Sequence, residues 1–146
     1  MRKTCAFIFA LLIIANATKL ENLCARSDQL VKDCEPTAKP VCGVSISSNG
    51  QVRTDFINKC TACKAVETEF VVEGPCNSYP KTGSFCHPKQ NTFKYCPQVI
   101  IPTCAVFEDQ SNCKNPPCGY DDAINTCYAC MSSDIALAFT GKCHQD

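Results

Sequence analysis

The sequence predicts a small disulfide-rich α+β fold made twice over, each copy a short antiparallel sheet or hairpin with one short helix. Three observations predict it. Cysteine is dense, 15 of 146 residues. The spacing of twelve of those cysteines repeats along the chain. Within the first copy, an Asn-Gly pair between alternating apolar residues is followed by a Cys-x-x-Cys at the start of a helical stretch.

The N-terminus reads as an export signal. Arg2 and Lys3 precede an uncharged run from Cys5 to Ala15, and Ala15-Asn16-Ala17 places small residues two apart. Residues 1–17 are therefore expected to be cleaved after Ala17, making the protein secreted with Thr18 as its first residue. The run is far short of the roughly 20 apolar residues that span a bilayer core. No later stretch is long enough either, so no membrane span is expected. Cys5 leaves with the leader, and the 14 remaining cysteines imply seven disulfides formed in an oxidising compartment. Zinc is the competing reading, because Cys60-Thr61-Ala62-Cys63 and Cys127-Tyr128-Ala129-Cys130 have short ligand spacing. A zinc site would use four thiolates and leave ten others to explain, so neither metal nor cofactor is expected. With Arg2 and Lys3 removed, 12 basic residues face 14 acidic ones. That balance argues against a nucleic-acid binder and against attachment to an anionic membrane.

Cys24, Cys34, Cys42, Cys60, Cys63 and Cys76 are separated by 9, 7, 17, 2 and 12 residues, and Cys86, Cys96, Cys104, Cys127, Cys130 and Cys143 by 9, 7, 22, 2 and 12. Only the third gap differs, and it holds Cys113 and Cys118. The segment Ile57-Asn58-Lys59-Cys60 matches Ile124-Asn125-Thr126-Cys127, and Gly74-Pro75-Cys76 matches Gly141-Lys142-Cys143. A period near 60 residues indicates two modules, at 18–76 and 86–146, joined by a linker at 77–85 that contains Pro80 and Gly83. Each module is too short to fold on apolar burial alone. Closing a loop of about 40 residues restricts the unfolded chain by about 4 kcal/mol if the effect is entropic, so cross-links supply the difference.

The elements follow in order. Ser48-Asn49-Gly50, flanked by Val44, Ile46 and Val52, is a hairpin turn within 45–56. Asn58 to Thr68 reads as a helix capped by the Asn58 side-chain oxygen. Cys60, Ala62 and Cys63 lie on adjacent positions, so two thiols leave one end of it. Glu69 to Glu73 is a short strand. In the second copy the helix is expected from about Asn125 to Asp134, and Ile135 to Thr140 is open between strand and helix. Asp121-Asp122 reads as a solvated turn, and His87 and His144 as surface residues.

Six cysteines with a seven-residue gap, a hairpin and a helix-opening Cys-x-x-Cys resemble the Kazal-type protease-inhibitor domain. Pro40-Val41-Cys42-Gly43 looks like that family's tetrapeptide, and Phe56-Ile57-Asn58-Lys59-Cys60 like its aromatic-x-Asn-x-Cys segment. The second copy departs from the pattern with Ala105 for Gly and Ala123 for the aromatic ring. Six cysteines allow 15 pairings. The resemblance implies Cys24–Cys63, Cys34–Cys60, Cys42–Cys76, Cys86–Cys130, Cys96–Cys127 and Cys104–Cys143, which leaves Cys113 to pair with Cys118.

The resemblance also implies a function. The segment between the second and third cysteines is a convex loop that enters a protease cleft as a substrate does, and an asparagine bonds to its carbonyls. Asn58 and Asn125 hold that position, and capping alone is the alternative role for them. By the family's register the loops centre on Glu35-Pro36-Thr37 and Pro97-Gln98-Val99, with Pro36 and Gln98 as the primary specificity residues. The bonds at risk are Pro36–Thr37 and Gln98–Val99. Pro36 has no N–H to offer an enzyme, and Lys39 falls after the bond, so the first copy is expected to inhibit trypsin poorly. The expected partner is a subtilisin-like or broad-specificity serine protease outside the cell or in the secretory pathway, met by a monomer. The alternative is a non-inhibitory structural or interaction module on the same frame. An enzyme is not expected: the chain has no Gly-x-Ser-x-Gly, His-Glu-x-x-His or phosphate-binding glycine loop.

Overall fold

A computed structural model describes residues 21–92, 94–108 and 119–143. The expected leader at 1–17, the expected Cys113–Cys118 bridge and His144 lie outside the described residues. The described residues form two four-stranded antiparallel sheets with a few short helices. The first sheet contains β1 (Glu21–Leu23), β2 (Val41–Ser47), β3 (Gly50–Phe56) and β4 (Phe70–Glu73), in the order β1-β4-β2-β3. Helices α1 (Arg26–Gln29) and α2 (Lys59–Lys64) belong to the same half. The second sheet contains β5 (Ser84–Phe85), β6 (Thr103–Phe107), β7 (Tyr120–Ala123) and β8 (Ile135–Thr140), in the order β5-β8-β6-β7, with α3 (Thr126–Ala129) beside it. Position for position this is the same strand order, so the repeat in cysteine spacing is also a repeat in topology.

The hairpin pairs β2 with β3 from Val41↔Phe56 to Ser47↔Gly50. No described non-glycine residue has a positive φ, whereas Gly50 sits at φ 113°. The turn thus bends through Ser48 and Asn49 at negative φ and relies on the following glycine, which excludes the type I′ geometry that Asn-Gly often adopts. The Ser47 hydroxyl braces the turn by donating to the Gly50 carbonyl at 2.9 Å.

Both helices are shorter than the sequence predicts. α2 ends at Lys64, and Ala65 is already extended with ψ 112°. The chain then turns, with Thr68 N–H donating to Ala65 O and Glu69 N–H to Val44 O, both at 2.9 Å. The cause is a competing demand. Phe70 is fully buried opposite Val44 on β2, so the chain must leave the helix in time to place it there. In the second copy α3 stops at Ala129, and Ile135–Thr140 is strand. Its first four residues, Ile135 to Ala138, are all buried between β5 and β6, and burial on both faces removes the alternation that would have marked a strand.

The segment expected as a linker is part of the core. Tyr79 and Phe85 are buried and meet edge to face, with ring centroids 5.0 Å apart. They join Cys42, Val44, Phe70 and Val72 of the first sheet to Val106 and Leu137 of the second in one apolar cluster. His87 is not a free surface residue either. Its ring meets Phe70 edge-on at 5.3 Å, and its Nε2 lies 3.5 Å from a Glu69 carboxylate oxygen.

Among the described residues, six disulfides join Cys24 to Cys63, Cys34 to Cys60, Cys42 to Cys76, Cys86 to Cys130, Cys96 to Cys127 and Cys104 to Cys143. These are the pairs the resemblance implies. Every cysteine among the described residues is therefore oxidised, including both Cys-x-x-Cys pairs, which leaves them no thiolates for zinc.

Candidate functional site

The two segments between the second and third cysteines of each copy have no regular structure and are exposed throughout, at 35–40 and 97–102. Each is tied down by a buried asparagine. Asn58 precedes α2 in an extended conformation, and its Oδ1 accepts the Thr61 N–H at 2.9 Å. That bond fixes the orientation of the amide, because a backbone N–H can only donate. Nδ2 then faces the loop and donates to Glu35 O at 3.0 Å and Thr37 O at 3.1 Å. Asn125 repeats the arrangement. Its Oδ1 accepts from Tyr128 N–H at 3.1 Å, and its Nδ2 donates to Pro97 O at 2.9 Å and Val99 O at 2.8 Å. Both asparagines are almost wholly removed from solvent, at 5% and 6% exposure, and each uses its oxygen and both amide hydrogens. Capping and loop support are thus carried by different atoms of the same side chain.

The geometry singles out one residue per loop. The two anchored carbonyls belong to the neighbours of Pro36 in the first copy and of Gln98 in the second. A disulfide stands at each end: Cys34–Cys60 and Cys42–Cys76 around the first loop, Cys96–Cys127 and Cys104–Cys143 around the second. Past the centre, Pro40 O accepts from Gly74 N–H at 2.9 Å and Pro102 O from Gly141 N–H at 2.7 Å.

The copies differ between those points. In the second loop, Ile101 N–H donates to Ile124 O at 2.8 Å, which ties the loop to the residue before the clamping asparagine. The matching Lys39 N–H in the first loop bonds within the loop, to Thr37 O at 3.1 Å. Behind the first loop lies an open cleft of about 640 Å³ between Glu35, Thr37, Asn58 and the β4 residues Val71 and Glu73. No group of His, Cys, Asp or Glu among the described residues could hold a metal ion.

One further pair of residues, Asp55 and Asp122, supports the frame. Asp55 Oδ1 accepts the Cys76 N–H at 2.6 Å, and Asp122 Oδ1 accepts the Cys143 N–H at 2.8 Å. Asp122 is therefore a strand residue of β7 that anchors the chain at its last disulfide, not part of a solvated turn. The signal was present: each aspartate stands 21 residues before the last cysteine of its copy.

No helix among the described residues is long and apolar enough to cross a membrane. Comparison with family models, with curated proteins and with solved structures yields no match to this chain.

Proposed function

We propose that the protein is a secreted inhibitor of serine endopeptidases, built from two Kazal-like modules, each offering a substrate-like loop. The observation that carries this reading is the double clamp. In each copy one asparagine holds the carbonyls on both sides of a single exposed residue. A catalytic serine attacking the Gln98 carbonyl would release the Val99 amine. That amine could not diffuse away, because the Val99 carbonyl stays bonded to Asn125 and disulfides hold both ends of the loop. Rejoining of the bond then competes with hydrolysis by proximity. A loop already fixed in its bound shape also loses little entropy on docking, which favours tight binding. The six disulfides among the described residues suit an oxidising, extracellular setting. The protein acts on its partner as a blocked substrate, as a monomer and without a cofactor.

The two copies are not equivalent. Pro36 cannot donate a backbone hydrogen bond, which forgoes about 1 kcal/mol net and more if an enzyme carbonyl is left unpaired. That favours a non-inhibitory interaction role for the first loop. Gln98 keeps its N–H, so the second loop is the inhibitory one. The test is a Gln98→Arg variant, which supplies the basic side chain that a trypsin-like pocket needs. The variant is expected to inhibit trypsin and to be cut slowly and reversibly at the bond joining residue 98 to Val99. Rapid, irreversible digestion there would mark the segment as an ordinary loop.

A further inference from the structure

Beyond the clamp, the second loop carries a surface the first lacks. The residues after the Gln98–Val99 bond are Val99, Ile100 and Ile101, which are 55%, 78% and 51% exposed. Ile124, whose carbonyl accepts the Ile101 N–H, is 46% exposed. Four branched aliphatic side chains therefore stand in water on backbone held by Asn125, by the Ile101–Ile124 bond and by two disulfides. No residue between Cys96 and Cys104 is charged. The matching stretch of the first loop is Thr37-Ala38-Lys39, which carries a hydroxyl, a methyl and a cation but no branched aliphatic side chain. Branched side chains have few rotamers to lose, so burying them costs little entropy. Gln98, by contrast, offers neither a charge nor a large apolar group to a specificity pocket.

We infer that the second copy selects its protease through Val99, Ile100 and Ile101, with Ile124 beside them, rather than through Gln98. Its partner is a serine protease whose cleft is apolar on the leaving-group side of the scissile bond. This rests on the inhibitor reading and adds to it which residues confer choice of enzyme.

The experiment measures inhibition constants of the full secreted protein against a panel of serine proteases spanning polar and apolar leaving-group subsites. Ile100→Ser and Ile101→Ser are compared with Gln98→Ala and with two controls of similar exposure away from this loop, Ile46→Ser and Ile57→Ser. The isoleucine changes in the second loop are expected to weaken inhibition at least tenfold each, Gln98→Ala by a smaller factor than either, and the controls less than twofold. Ile100→Ser and Ile101→Ser both within twofold of the unaltered protein would overturn the proposal. So would a panel in which the unaltered protein inhibits nothing, since a surface that selects an enzyme must find one. Gain of trypsin inhibition by Gln98→Arg tests the substrate-like geometry of the loop whatever the panel gives, so failure of that geometry and failure of the choice of enzyme are read from different results.

Discussion

At the scale of single residues, Asn58 and Asn125 do two things with separate atoms, so one substitution can divide them. Asn125→Asp keeps an oxygen to accept the Tyr128 N–H and so keeps the cap. It removes the donor that holds Pro97 O and Val99 O, and places a carboxylate oxygen against two carbonyls in a buried site. Lost bonds of about 1 kcal/mol each, plus that repulsion, are enough to free the loop without unfolding the protein. The expected outcome is unchanged helix signal and unchanged disulfides, with cleavage at Gln98–Val99 by a broad-specificity protease at least tenfold faster. If Asn125→Asp is cut no faster than the unaltered chain, the asparagine is a helix cap and nothing more. Asp55 and Asp122 act in a simpler way, each occupying a backbone N–H at a terminal cysteine that the sheet leaves unpaired.

At the scale of elements, the two departures of the second copy are one event. A Cβ on Gly43 would lie 2.6 Å from the Phe56 ring, so the aromatic residue of β3 covers β2 only where β2 carries a glycine. The two positions are diagonal neighbours, since Gly43 pairs with Thr54. In the second copy the ring is gone at Ala123, and Ala105 takes up space at the glycine position, 3% exposed. Gly43→Ala alone is expected to cost about 1–3 kcal/mol through overpacking. Phe56→Ala alone should cost a similar amount, less than a full core truncation because the ring is only half-buried. The double variant should be more stable than the sum of the two by at least about 1 kcal/mol, read from denaturant midpoints; additivity would show that the pair is uncoupled. The same scale shows what could be read from sequence. The hairpin, the cysteine frame and the clamping asparagines depend on local chemistry and fixed spacing, so they were legible. Strands β1 and β5 were not, because three and two residues carry no period. The end of α2 falls earlier than the sequence predicts because burial of Phe70, a tertiary demand, outweighs helix propensity.

At the scale of the molecule, the short connector makes the two sheets one body. Arg53 of β3 donates to the Pro80 and Gly83 carbonyls, and its guanidinium lies 4.3 Å from the centre of the Phe85 ring. Half-burial lowers its pKa from the ordinary arginine value by desolvation, a cost those contacts offset. Gln51 completes the join with two bonds to the Phe85 backbone, at 2.7 and 2.8 Å. None of this could be read from sequence, since the partners lie 27 to 34 residues apart without a pattern. It does set how the protein unfolds. Phe85 is 2% exposed, and truncating it to alanine should cost about 3–5 kcal/mol. If the sheets are cooperative, that loss reaches the first one. Amide hydrogens of Val44, Phe70 and Val72 should then exchange at least tenfold faster in Phe85→Ala, although the altered residue lies outside the first cysteine frame. Faster exchange confined to β5 and β8 would mean that each copy is held by its own disulfides and that the shared apolar cluster adds little between them.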